Sequence, residues 1–431
     1  MQSRTFLLFC GLAIAYAAAS YGQDEPVLTG YVTRANSGSD FDVNGIHIVC
    51  SGVRRGALES AHGIKVSALG CPGDAPFIGE ALIVDGARDE KANTFYATRI
   101  ENQSQQLGKI SGSAVIVAVP AQKSKAAQSS GFVIRADGYR IRITGKTKME
   151  WNPPLPSLVE MCAGDWIKYK GKLDAAGVLE ASFVGIGPGA IGSREEKLRA
   201  DNEYDPSAVP AKSRQNFLRD AVAGNFDPKK FPPFQDPEMQ ARIVKIGNSL
   251  IPAFQRALPA SDPTKIDFRF QLIDTKLLRD ALALPSGIIL VPHQVVERMQ
   301  NDSQLATVLA DGIARILERQ NYRTDREHNL THAAMFAGPF VPYAGSDIVG
   351  GGAYTEMGIL KKEREQRGRV SLALLHDAGY DVNQAPIAWW LLDPWKPRSL
   401  SEIEMPERAG YLYSILGEIW NNPAVPAPKV R

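Results

Sequence analysis

LATVLADGIARILERQ, running from Leu305 to Gln320, decides how the second half of this chain is read. Its apolar residues Leu305, Val308, Leu309, Ile313, Ile316 and Leu317 recur at spacings of three and four, with no proline and one interior glycine. That period predicts an amphipathic helix. At its centre stand Asp311, Gly312 and Arg315. An acid four residues before a base is the favourable order for a helical ion pair, worth ~0.3–0.5 kcal/mol on an exposed face. The spacing therefore predicts an Asp311–Arg315 bridge, against the alternative of two separately solvated side chains.

The flanks fit an α+β domain with little sheet, over residues 237–425. Asp236 followed by Pro237 is an N-cap and a first helical residue, and Met239, Ile243, Ile246 and Leu250 supply the helix's stripe. FRFQLI, Phe268 to Ile273, alternates like a half-buried strand. Pro285, Ser286 and Gly287 then break the chain before a second strand at Ile288 to Val291. Downstream, Trp389, Trp390, Trp395, Tyr411, Tyr413 and Trp420 have helical or near-helical spacing. Core packing is the reading for most of them; an exposed subset that binds a partner is the alternative.

The first half is different. Residues 27–186 are short alternating strands punctuated by Gly, Asp and Asn, with no long helical period. It also repeats: FIGEALIVDGARDEKANTFYATRI from Phe77 parallels CAGDWIKYKGKLDAAGVLEASFV from Cys162, and FDVNGIHI from Phe41 parallels FVIRADGYRIRI from Phe132. Gly79 then matches Gly164, Glu80 matches Asp165, Gly86 matches Gly171 and Asp89 matches Asp174. Two small all-β barrels, residues 27–105 and 106–187, are the simplest account. Residues 188–236 read as a proline-rich linker with one short helix at Ser213 to Ala223, strapped down by Phe226, Phe231 and Phe234.

With 431 residues, 44% hydrophobic and 22% charged, the chain suits several globular domains rather than disorder. A formal charge of +2 with scattered Lys and Arg points away from nucleic acid. MQSR followed by the apolar run Phe6 to Ala15 and Ala17, Ala18 and Ala19 reads as a signal peptide over residues 1–22. The expected mature protein is exported, periplasmic or extracellular, without a stable membrane span. In that oxidising setting Cys50 and Cys71 form a plausible disulfide, and Cys162 is the odd thiol.

Four stretches, in order, resemble family forty-eight of the zinc metallopeptidases, the gluzincin group that includes the CAAX prenyl endopeptidases and soluble periplasmic relatives. They are EMQARIVKIGNSLIPAF from Glu238, DALALPSGIILV from Asp280, SQLATVLADGIARIL from Ser303 and LALLHDAGYDV from Leu372. The resemblance implies a mostly helical peptidase fold with zinc as cofactor, held by two His of an H-E-x-x-H helix, whose Glu activates water. Here Asp311, Gly312 and Arg315 stand at the His, Glu and second His positions. Gly312 offers no base and a guanidinium offers zinc no lone pair. The family's third ligand, a Glu before the A-G-Y turn, falls on Arg364 by an ungapped count or on Glu363 with a one-residue shift. The β repeats resemble the oligonucleotide/oligosaccharide-binding (OB) type of five-stranded barrel. Tyr139, Arg140, Arg142, Trp166, Lys168 and Tyr169 are candidates for a ligand face there.

Three functions follow as expectations. The first is an exported pseudopeptidase, with no metal, acting in binding or scaffolding through a protein or envelope component. The second is an active zinc metalloendopeptidase with shifted ligands drawn from Asp311, His328, His332 and Glu363. The third is an envelope glycan- or protein-binding module built on the β repeats.

Overall fold

The computed structural model describes residues 27–50, 75–103, 108–120, 131–151, 161–174, 176–187, 189–205, 231–276, 278–323, 347–392 and 406–421, with side chains described from residue 361 onward in the helix that begins at Asp347. The signal-peptide expectation, Cys71, Phe226, the helix expected at Ser213 to Ala223, His328, His332 and Trp395 lie outside these residues.

The first five strands, β1 (Val27–Ser37), β2 (Asp40–Val43), β3 (Ile46–Cys50), β4 (Ala81–Asp89) and β5 (Thr94–Asn102), close a barrel in the order β1-β2-β3-β5-β4. Every contact in it is antiparallel except β3 against β5. A second barrel follows from β6 (Lys109–Ala118), β7 (Phe132–Ala136), β8 (Tyr139–Ile143), β9 (Lys148–Trp151), β10 (Trp166–Leu173) and β11 (Val178–Gly187). Its order β6-β7-β8-β11-β10 repeats the first, with β9 added beside β11.

The repeat extends to single hydrogen bonds. The Phe77 amide donates to Glu80 Oε2 at 3.1 Å, and the Cys162 amide to Asp165 Oδ2 at 2.7 Å. Asp89 Oδ1 caps the Lys91 and Ala92 amides as Asp174 Oδ1 caps those of Ala176 and Val178. Gly86 and Gly171 both sit at a register shift where a Cβ would strike a neighbouring carbonyl, a bulge that only glycine fits. Asn44-Gly45 and Asp137-Gly138 make the two equivalent hairpin tips, all four with positive φ, as a type I′ turn requires.

The third part contains α1 (Ser193–Asp201), α2 (Pro237–Leu250), α3 (Ala253–Ala257), β12 (Arg269–Ile273), β13 (Leu282–Ala283), β14 (Ile288–Pro292), α4 (His293–Arg298), α5 (Asp302–Leu317), α6 (Asp347–Asp377), α7 (Gln384–Leu392) and α8 (Glu407–Ile415), which ends in a π-helical turn, Leu416–Trp420. Asp236 caps α2 through the Met239 amide at 2.9 Å, with Pro237 as first helical residue. β12 and β14 are parallel and β13 lies antiparallel on the edge. The expected linker is ordered where described: α1 replaces the charged loop, and Phe231 is buried beside Tyr204, whose hydroxyl donates to the Phe231 carbonyl at 2.6 Å. α1 escaped the sequence reading because its one buried anchor is a charged residue, Glu195, held by Arg199 at 2.8 Å and faced by Arg319.

Two further expectations are corrected. The helix around Asp311 is not amphipathic in place: all but three of its sixteen residues are buried, because α2, α6, α7 and the β13–β14 edge surround it. Tyr139 and Tyr169 do not form a ligand face, being 5% and 1% exposed. Of their proposed companions, Arg142 pairs with Glu180 and Asp174, Arg140 donates to the Ala176 carbonyl, and Trp166 lies under the Arg319 guanidinium.

Barrel two shares one continuous apolar cluster with the helices, whereas barrel one keeps its own. Each barrel presents its equivalent hairpin tip to the helices. Gly45 sits against the Trp390 indole of α7. Asp137, 1% exposed, accepts from Arg369 of α6 through Nη2, at 2.8 and 2.9 Å to its two oxygens, and through Nε at 3.2 Å, and takes a hydrogen bond from the Tyr169 hydroxyl. Nearby, fully buried Glu318 accepts from the Val115 amide of β6 and from Gln366 Nε2, both at 3.2 Å. Burial, with Asp137 adding, pushes its carboxyl well above the usual range.

Breaking one side of the Asp137 pair by Arg369→Leu is expected to cost ~3–5 kcal/mol in urea unfolding; a loss below ~1 kcal/mol would show the latch to be solvated. A raised acid pKa in the folded state makes stability fall as pH rises from the unfolded value of about 4.3 towards the folded one. Glu318→Gln should therefore raise the melting temperature at about pH 8 and leave it nearly unchanged at about pH 4, and equal effects at both would contradict the raised carboxyl pKa.

Candidate functional site

Asn301 starts α5 by accepting the Gln304 amide at 3.0 Å, and three turns later the helix presents Asp311 to a gap between α6 and α8. Asp311 is 6% exposed. Arg408, in the first turn of α8, places Nη2 2.6 Å from Asp311 Oδ1 and donates from Nη1 to Asp280 Oδ2 at 2.7 Å. The same guanidinium lies 3.2 Å from the centroid of the Trp389 ring, a stacking open to arginine's planar, weakly hydrated head. Arg367 of α6 approaches Asp311 Oδ2 at 3.6 Å.

The expected i, i+4 bridge is thus corrected: the ion pairs of Asp311 are with Arg408 and Arg367, both from other helices. A helix neighbour offers a few tenths of a kcal/mol, whereas a sealed carboxylate needs close, hydrogen-bonding cations.

The electrostatics follow from these contacts. Burial opposes the charge on Asp311, but Arg408 and Arg367 outweigh it and hold the carboxyl below its ordinary value. Burial, with the negative Asp311 adding to it, raises the pKa of Asp280 against the opposing pull of Arg408 and, more weakly, Arg367. Arg408 resists burial through the two acids and is raised. Burial, followed by the adjacent Arg367 charge, pushes Arg315 down to about 10, with Asp311 and Glu363 opposing.

Glu363, 5% exposed, faces this cluster; Arg364 is exposed and pairs with Glu407 at 3.3 Å. Of the two alignments of the third position, the shifted one therefore puts an acid inside. Gly312 is closed off in another way: a Cβ there would meet Ile289 of β14 at 3.1 Å, leaving no room for a base without repacking. Beside Asp311 and Arg408 lies a cavity of about 260 Å³, walled by Trp389, Tyr411 and Leu412 and rimmed by Lys361, Arg364 and Glu407.

As a zinc centre the donor set does not fit. Three guanidinium groups, Arg315, Arg367 and Arg408, share the space with Asp280, Asp311 and Glu363, and none can give a metal a lone pair. Among the described residues no group of three or more His, Cys, Asp and Glu could hold a metal ion. Elsewhere, His293 begins α4, stacked on Phe234 at 4.1 Å and bonded to Glu297 at 3.0 Å. Cys50 is disulfide-bonded and Cys162 is an exposed thiol. Among the described residues no helix is long and apolar enough to cross a membrane.

Sequence reasoning reached Asp311, Arg315 and Glu363 but missed Arg367, Arg408 and the role of Asp280. No local signal marks Arg408, which joins Asp311 from 97 positions further along. No protein-family model matches the chain, and no curated protein matches it.

Arg408→Met leaves the buried Asp311 and the partly exposed Asp280 without their main cation and is expected to lower stability by ~3 kcal/mol or more, with part recovered in Arg408→Met/Asp311→Asn. A single-mutant loss below ~1 kcal/mol in urea titrations would contradict the pairing. Because the folded pKa of Asp311 is depressed, its contribution is present above the unfolded value of about 3.9 and is lost as pH falls through the folded one; Asp311→Asn should flatten that acid limb.

Proposed function

We propose that residues 237–425 are a peptidase-like domain whose catalytic centre has been replaced by an ion-pair cluster, and that the exported protein works in binding or scaffolding in the cell envelope. The observation that carries this reading is the Arg408 guanidinium held between Asp311 and Asp280, with Arg315 at the second His position of the resemblance. Removing a catalytic zinc from a buried site leaves an acid-lined gap, and a fixed guanidinium neutralises it without supplying Lewis acidity or a base.

The strand order found twice in the β half supports the OB type of barrel. Both barrels use an equivalent hairpin tip to meet the helices, which leaves their outer strands as candidate surfaces for a glycan or a protein. Export rests on the leader-like residues 1–22 and agrees with a disulfide at Cys50.

A second reading, a metalloendopeptidase with shifted ligands, is favoured by one observation, the buried Glu363, which acts on Arg315 together with Asp311. His328 and His332 would complete its ligand set.

Elemental analysis of the purified mature chain, dialysed against zinc-containing and then zinc-free buffer, separates the two. The expected result is zinc far below one per chain and no cleavage of casein. Zinc at one per chain, lost in His328→Ala or His332→Ala, would overturn the pseudopeptidase reading in favour of the second.

A further inference from the structure

Alternation along β10 turns Tyr169 and Leu173 into barrel two and leaves Lys168, Lys170 and Lys172 exposed on its outer face. Alternate residues of a strand stand about 7 Å apart on one side, so the three lysines form a row. On one flank the row meets β6, where exposed Lys109 stands directly opposite Lys172, Ser111 opposite Lys170 and Ser113 opposite Lys168. Like charges placed opposite each other across a strand pair repel, a repulsion that a bound anion relieves. On the other flank β11 places Glu180 opposite Lys172, Phe183 opposite Lys170 and Gly185 opposite Lys168.

The acids that border this face are held by other bases. Glu180 pairs with Arg142, and Glu150 of β9, opposite Gly185, pairs with Lys148 at 2.9 Å. Positive charge is thus concentrated here, although the whole chain is near balance at +2. The floor of the face is partly apolar. Phe183 is half-buried, with the Lys170 ammonium over its ring, 5.9 Å from the centroid. Two residues along β11, Gly185 puts no side chain over the edge of that ring, where a Cβ would come 3.3 Å from Phe183 Cζ. A glycine in a strand often marks such a place of close approach.

A row of ammoniums beside an aromatic edge fits a polymer that combines negative charge with apolar faces. A uronic acid sugar has both: its ring presents C–H groups that pack on an aromatic side chain, and its carboxylate accepts from an ammonium. We propose that this outer face of barrel two binds an acidic polysaccharide, a chain of sugars bearing carboxylates. Lys109, Lys168, Lys170 and Lys172 take the carboxylates, and a sugar ring lies over Gly185 against Phe183. The strands concerned, β6, β10 and β11, are the first, fourth and fifth of the five-stranded order, not the second and third that the OB resemblance offers. A lipid surface fits less well, because Phe183 lies beneath an ammonium and does not project to enter a bilayer. The inference deepens the binding role proposed above and rests on export, which brings the protein to such polymers.

The test titrates the full mature chain by calorimetry with sodium polygalacturonate, neutral dextran, phosphatidylglycerol vesicles and a single-stranded oligonucleotide. Saturable binding of polygalacturonate is expected, with none of dextran, and it should weaken as added salt screens the charges. Lys168→Gln/Lys170→Gln/Lys172→Gln should lower that affinity about tenfold or more, since three exposed charge pairs are lost. Phe183→Ala should lower it about threefold. Lys91→Gln/Lys197→Gln/Lys245→Gln, which removes the same charge from exposed positions elsewhere, should bind as wild type does. Lys168→Glu provides the readout if the first triple variant does not fold.

Absence of saturable polygalacturonate binding, or an equal loss in the two lysine triples, would overturn the site alone. Vesicles or oligonucleotide bound more tightly, with the same dependence on Lys168, Lys170 and Lys172, would overturn the polysaccharide in favour of that partner. Mass spectrometry of the chain from separated cell fractions tests export independently. An intact leader on cytoplasmic protein would overturn the export reading and leave the measured affinities standing.

Discussion

A carboxylate sealed on the central helix keeps its charge only if a cation is brought to it, and much of the helical half is arranged around that demand at Asp311. Desolvation of an isolated ion costs several kcal/mol even after relaxation. Arg408 meets the demand from α8, lies on Trp389 of α7 and reaches Asp280 just before β13. One guanidinium therefore ties four elements together. A zinc ion in the same place would do the same mechanical work and add chemistry. The guanidinium supplies the charge and the geometry without an open coordination position.

The same solution appears a second time where the barrels meet the helices. Asp137 at one hairpin tip is locked by Arg369, which also donates to the Tyr411 hydroxyl at 2.5 Å. The equivalent tip of barrel one has Asn44, which satisfies itself locally by accepting the Tyr31 amide and donating to the Thr29 carbonyl. That tip meets an indole rather than a charge. Two copies of one topology have thus been docked by different physics: barrel two through buried ions and a shared apolar core, barrel one through packing and hydrogen bonds such as Asn421 to the Ile78 carbonyl at 2.9 Å.

Local patterns carried much of the fold. The duplication was legible because bulge glycines, turn acids and hairpin tips are dictated by backbone geometry within a few residues, so Gly86 and Gly171 or Asp89 and Asp174 repeat in the sequence for the same reason they repeat in space. α2 and its cap at Asp236, and the strands β12 and β14, were legible likewise. What was not legible is tertiary. Helix α1 is anchored by a buried ion pair, which looks in sequence like a solvated charge run. The partners of Asp311 come from α6 and α8, so the nearest opposite charge in sequence, Arg315, was the wrong one. The aromatic residues Tyr139 and Tyr169 look like a binding stripe by alternation, yet their strands turn that face inward.

An experimental density map of α5, α6 and α8, from protein crystallised with zinc and measured at the zinc absorption edge, tests the central claim most directly. The ion-pair account predicts the Arg408 guanidinium between Asp311 and Asp280, stacked on Trp389, with no anomalous peak in the cluster. An anomalous peak beside Asp311 and Glu363, with Arg408 displaced from Trp389, would contradict it.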